Sequence, residues 1–156
     1  MLPAFTVFDV ETTGLDPRRG HRVIEIAGVR IEDGKILSET PFVELVNPER
    51  AIPWEAKQIH KIRDEDVASA PTIDQVLPRF LTFADHSVLV AHNAEFDMGF
   101  LQMEKECCWG YVDLPECLCT MRLSQSLFPH EFREADRKST RLNSSHAELS
   151  RMPSSA

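Results

Sequence analysis

The sequence predicts an α/β fold on a mixed sheet: an antiparallel meander of three strands, then β–α alternation. Three observations predict it. Residues 5–46 hold three apolar, β-branched runs separated by turn signals. Residues 72–84 carry apolar side chains at helical spacing. Residues 87–127 hold two short apolar runs, each leading into a helical pattern.

The elements follow in order. Residues 5–10 (FTVFDV) read as a buried strand, and residues 12–17 (TTGLDP) as a turn. Residues 22–32 form a second strand, and Asp33-Gly34 is a hairpin signal. Residues 35–46 form the third strand, where Pro41 favours a bulge or an edge. Pro53 introduces a helical turn over 54–60, and another covers about 63–68. Thr72 is the expected N-cap of a helix whose inner face is Ile73, Val76, Leu77, Phe80, Leu81 and Ala84. Residues 87–91 (SVLVA) read as a central strand, and a helix runs from about Ala94 to Cys107. The last strand–helix pair spans about 116–127.

Composition narrows the function classes. A chain of 156 residues that is 42% hydrophobic can bury a core, which excludes global disorder. No apolar window approaches the length of a membrane span, so no membrane partner is expected. The N-terminus shows no basic region before an apolar stretch, and four cysteines (107, 108, 117, 119) lack metal-knuckle spacing. They read as reduced thiols of a cytoplasmic protein. The net charge of −8 argues against binding nucleic acid by bulk attraction, though not against an enzyme that recruits cations.

Two motifs carry chemistry. In Phe8-Asp9-Val10-Glu11-Thr12-Thr13-Gly14 the strand alternation puts Asp9 and Glu11 on one face, at the strand's C-terminal end. Asp9 lies inside an apolar run and is expected to be buried, with no lysine or arginine in the strand to pair with. A hard divalent cation suits such a pair. In residues 90–97 (VAHNAEFD) Asn93 reads as an N-cap, which puts Asp97 in the first helical turn. Asp97 there serves either the helix dipole or a third ligand site facing Asp9 and Glu11. Three converging carboxylates can hold two ions for in-line displacement at phosphorus.

FDVETTGLDP and VAHNAEFDMGFL, in this order, resemble the DnaQ-like exonucleases of the DEDD superfamily, DEDDh branch. That family is typified by the proofreading epsilon subunit of bacterial DNA polymerase III. The resemblance covers roughly residues 4–130 and implies a ribonuclease-H-like fold. It implies removal of nucleotides from 3′ ends with two Mg²⁺ or Mn²⁺ ions. By it, Asp9, Glu11 and Asp97 are the metal ligands and catalytic carboxylates. Thr12, Thr13 and Gly14 form the turn whose backbone approaches the terminal nucleotide. Ile59-His60-Lys61-Ile62 resembles the segment that places a histidine by the terminal sugar, with Lys61 where glycine is usual. Glu55, Asn93 and Phe96 join the expected substrate contacts, Phe96 as a wall.

His92 is expected to order the strand end, Cys119 to be a small core residue, and Trp54 and Trp109 to pack or form a lid. Met98, Phe100 and Leu101 read as ordinary core.

The family also uses a third motif, an aspartate preceded by a general-base histidine at five residues. Past Asp97 no histidine has an aspartate at that spacing: His130 precedes Asp136 by six, and His146 has none. Residues 137–156 are serine-rich and carry +3 (four basic side chains against Glu148), which leaves −11 on residues 1–136. The reading is therefore an exonuclease domain over 1–136, incomplete at its C-terminus, with a non-native or disordered tail over 137–156. The expected partner is a single-stranded DNA 3′ end, with a DNA polymerase catalytic subunit beside it. The alternatives are an inactive module that binds nucleic acid or polymerase, and an RNA-trimming exoribonuclease.

Overall fold

A computed structural model describes residues 2–131 apart from Tyr111. The tail of 137–156 lies outside the described residues, as does Asp136. The contacts divide the chain into two units, Met1–Thr120 and Met121 onward. The first carries the sheet. The second begins within a helix over Thr120–Leu127 that buries none of its residues.

The meander forms as expected. Strand β1 (Phe5–Thr12) pairs antiparallel with β2 (Val23–Glu32). A two-residue turn then leads to β3 (Lys35–Ile36), and Asp33 and Gly34 both adopt positive φ, 49° and 75°. A turn built from two left-handed conformations matches the right-handed twist of the flanking strands, so the aspartate–glycine signal does set the register Glu32↔Lys35.

The expected third strand over 35–46 is not continuous. It is two strands, β3 and β4 (Phe42–Leu45), both laid along β2. Pro41 explains the break: it has no N–H to donate to a ladder, so pairing resumes only after it.

Helices follow: α1 (Trp54–His60), α2 (Asp64–Val67) and α3 (Ile73–Phe83). Strand β5 (Val88–Ala91) returns parallel to β1, with α4 (Ala94–Lys105) after it. Strand β6 (Cys117–Cys119) pairs parallel with β5 and leads into α5 (Thr120–Leu127). The path across the sheet is β3-β2-β1-β5-β6, with β4 also on β2, so β1 is central.

The two faces of the sheet are covered differently. Phe8, Val10, Val23 and Ile26 meet Ile73, Val76, Leu77 and Phe80 of α3 and Phe100 and Leu101 of α4. A smaller cluster of Ile24, Ile52, Ala56 and Val67 seats α1 and α2. Both clusters reach β2 because its register slips opposite Glu11 and Thr12. One extra residue, Ile24, enters the strand there, a β-bulge that lets adjacent residues serve different cores.

Two expected caps fail. Thr72 makes no capping hydrogen bond, since its hydroxyl turns to Asp74. Asn93 stands at the N-cap of α4 in a left-handed conformation (φ 64°), and its side chain does not cap either. The Ala94 N–H donates instead to the Cys119 sulfur at 3.3 Å. Cys119 is thus partly buried and engaged with the helix start, rather than a plain core residue.

Candidate active site

The site is built where β1 outruns its parallel neighbour. The β1–β5 ladder ends at Val7↔Val90, short of the last residues of β1. The backbone of Val10 therefore has no strand partner on that side, and an unpaired buried N–H needs an acceptor. Asp97, in the first turn of α4, supplies it: the Val10 N–H donates to Asp97 Oδ1 at 3.1 Å. Asp97 is 2% exposed, and it accepts from the residue between Asp9 and Glu11.

Asp9 and Glu11 share a face of β1, as alternation requires, with Val10 on the opposite face in the core. Asp9 is exposed, which corrects the expectation that it is buried. Its apolar neighbours in sequence are the core-facing residues, whereas Asp9 itself opens to solvent. Across the ladder, Glu11 faces Glu25 of β2.

The carboxylates repel one another. Burial, then the charges of Asp9 and Glu25, push Glu11 above the usual carboxylate range. Burial and Asp9 do the same to Glu25. Burial pushes Asp97 up to about 7, with Asp9 and Glu11 adding to it and the Val10 amide opposing it. No lysine or arginine pairs with Asp9, Glu11, Glu25 or Asp97 among the described residues. Nor are three such side chains gathered into a closed ligand cage among the described residues. The donor set still fits a hard divalent cation, because oxygen donors with unrelieved negative charge are what such an ion takes.

A cleft of about 620 Å³ opens beside these groups, lined among others by Glu11, Thr12, Thr13, Gly14, Glu55, His60 and Phe96. Its size suits one nucleotide. The structure thus brings together seven of the ten predicted site residues on one cavity wall. Asp9 and Asp97 join through their fields and the Val10 contact. Asn93 lies off the cleft, in an adjoining groove that shares Leu15, Asp16 and Phe96 with it.

The cleft floor is tied together by hydrogen bonds. The Thr12 hydroxyl donates to the Gly14 carbonyl at 2.6 Å. The Thr13 hydroxyl accepts from the Arg22 N–H at 2.9 Å and meets His21 Nδ1 at 3.0 Å. Both hydroxyls are used within the turn. The space over Gly14 is filled by the His21 ring, which a Cβ there would penetrate. Glycine is therefore required by a protein side chain, a role the sequence did not signal.

His60 forms part of the wall. Its Nδ1 accepts from the Ile62 N–H at 3.0 Å, so the neutral ring carries its proton on Nε2. Nε2 is buried with no hydrogen-bond partner. Burial holds the imidazole below its ordinary pKa, against the pull of the nearby Thr12 carbonyl. The ring is a neutral donor whose nearest acceptor is the Thr12 carbonyl. Lys61 takes the left-handed conformation (φ 63°) that a glycine would adopt here, and its N–H closes α1 on the Lys57 carbonyl at 3.0 Å. The helix end survives the substitution.

His92 lies five residues before Asp97 but is exposed, with Nδ1 on the Thr120 hydroxyl at 3.1 Å. It orders the strand end, as expected. Trp54 and Trp109 are 69% and 85% exposed, so neither packs. Sequence reasoning missed His21 and Glu25. The only signal for Glu25 was its alternation with Ile26, which the bulge obscures.

Comparison with known proteins gives a consistent set. A family model described as Exonuclease matches residues 6–150. The DNA polymerase III subunit epsilon-like protein of Rhodobacter capsulatus is 44% identical over 124 residues, 80% of this chain and 18% of that protein. The DNA polymerase III subunit epsilon of Rickettsia conorii is 38% identical over 127 residues, 79% of this chain and 55% of that one. The chain therefore spans about half, or less, of the length of these relatives. Among solved structures, exonuclease X in complex with 5′ overhanging duplex DNA aligns with TM-score 0.63 and 34% identity, over 81% of this chain and 65% of that one. A product-bound exonuclease I aligns with TM-score 0.66 at 17% identity, over 83% and 33%, and supports the fold alone.

Proposed function

This chain belongs to the exonuclease family, and from that premise we propose that it removes nucleotides from the 3′ end of DNA by metal-assisted hydrolysis. One observation carries the reading: three acids without a cationic partner, Glu11 in its lining and Asp9 and Asp97 beside Glu11, gather at a nucleotide-sized cleft that His60 also lines. Asp9, Glu11 and Asp97 would hold two Mg²⁺ or Mn²⁺ ions. When bound, such ions activate water and stabilise the leaving oxygen.

The chain's own residues do the rest. The Thr12–Gly14 backbone lies along the cleft floor against the last nucleotide. His60, in the cleft wall, stands by its sugar. Phe96, braced on Phe100 with ring centroids 5.1 Å apart, closes the wall. The adjoining groove past Asn93 receives the preceding residues of the strand. The similarity to polymerase III epsilon proteins supports DNA as substrate and a DNA polymerase catalytic subunit as partner. The free cysteines suit the reducing cytoplasm in which such work is done.

The test is a 5′-labelled single-stranded DNA incubated with the purified chain and Mn²⁺. The expected product is a ladder shortening from the 3′ end, abolished by EDTA and by Asp9→Ala. The rate should be about 10²–10⁴-fold below that of a relative carrying a general-base histidine, since none at the family spacing follows Asp97. Turnover equal to such a relative would mean that another group takes the proton. Binding of the strand that survives both EDTA and Asp9→Ala, with no ladder, would replace the enzyme reading by the binding module. Preference for the ribose version of the strand would redirect it to RNA.

A further inference from the structure

Two acids are buried among the described residues, Asp97 and Glu104, each 2% exposed. Both belong to α4 and stand seven residues apart, two helical turns, hence on one face and about 10 Å apart along the axis. Each accepts a backbone N–H from the sheet. Asp97 takes Val10, where β5 has ended. Glu104 Oε1 takes the Val23 N–H at 3.0 Å, at the bulge where β2 slips its register. Glu104 is further locked by the Arg22 guanidinium, whose Nε and Nη2 donate to its two oxygens at 2.9 Å each.

This is more than a helix–sheet contact can explain. A buried carboxylate is costly, and an apolar residue of similar size would glue α4 to the sheet at less expense. An ion pair with directional bonds fixes what apolar packing leaves loose, namely the rotation and height of the helix. We propose that Glu104 and Arg22 are positioning residues: they key α4 to the β2 bulge and so fix where Asp97 meets the Val10 amide, between Asp9 and Glu11. The inference rests on the exonuclease reading for its meaning, since only there does the placement of Asp97 matter.

Amide hydrogen exchange, followed by NMR, tests the placement without reference to activity. In Glu104→Ala the Val10 amide should exchange at least tenfold faster than in the parent chain. In Arg22→Gln, which leaves the Glu104–Val23 bond available, it should exchange at least threefold faster. Phe8, in the same strand, should stay within twofold in both. Glu104→Gln, which keeps an acceptor for Val23, should recover part of the loss. Val10 protection within twofold of the parent in a folded variant overturns the proposal. So does equal acceleration of Val10 and Phe8, which would mean general loosening. If Glu104→Ala does not fold, Arg22→Gln decides by the same criteria.

Mn²⁺ titration adds a readout that a purely structural contact would not move. Glu104→Ala should weaken Mn²⁺ binding at least fivefold in the parent and not at all in an Asp97→Ala background. Equal weakening in both backgrounds overturns the proposal. Failure of the parent chain to bind Mn²⁺ counts against the exonuclease reading, and the exchange rates still decide the clamp.

Discussion

At the scale of single residues, Asp97 makes the sharpest claim. Its pKa of about 7 lies above the ordinary value of 3.8, so the folded chain holds that proton longer than the unfolded chain. Stability then falls as pH rises from about 4 to about 7, because the unfolded state releases its proton first. In EDTA the chain should lose up to roughly 1.4 kcal/mol per pH unit across that window relative to Asp97→Asn, which has no proton to lose. Urea denaturation at about pH 4.5 and about pH 7.5 checks this, and equal pH dependence of the two proteins would refute it. Gly14 makes a second claim. Gly14→Ala drives a methyl group into the His21 ring, which is tied to Thr13. The expected loss is about 1–3 kcal/mol, read as a lowered Tm, with the damage confined to the cleft floor.

At the scale of elements, α1 shows how a departure from the family pattern is absorbed. Lys61 occupies a left-handed position that costs a side chain about 1 kcal/mol more than glycine. Lys61→Gly should therefore stabilise the chain by about that amount and leave the His60 Nδ1–Ile62 bond intact, as thermal melts and the His60 NMR shift would show. The same scale shows what could be read from the amino acids. The strands over 5–12, 23–32 and 88–91 were legible because β-branched runs alternate or bury outright. The helix over 73–83 was legible from its apolar spacing, despite Pro78 inside it. The bulge at Ile24 was not, since an inserted residue leaves an apolar run looking like any other. Nor were the caps. Asn93 has the right chemistry for one, but its left-handed backbone turns the side chain away. The nearness of Asp97 to Asp9 and Glu11 was legible through two motifs. His21 and Glu25 were hidden because their roles come from strand register and turn packing, which no local pattern encodes.

At the scale of the whole molecule, charge would decide how the proposed nucleic-acid substrate is held. Residues 1–136 carry −11, and the cleft lining includes Glu11, Asp16 and Glu55 against Arg19. Phosphates are not drawn by a basic groove, so few counterions are released on binding. The log–log salt slope for single-stranded DNA should be shallow, about −1 to −2, the signature of two or three phosphate contacts. In EDTA the affinity should collapse. A slope of about −4 or steeper would show a basic surface at work. The brevity of β5 has its own consequence. With only four residues, Val88 to Ala91, it acts as a ruler for the seat of Asp97. Two more residues of pairing would give Val10 a backbone partner and evict Asp97 from its seat. Drift in the length of this strand is therefore forbidden to any descendant that keeps Asp97 on the Val10 amide, even where every acidic residue is retained.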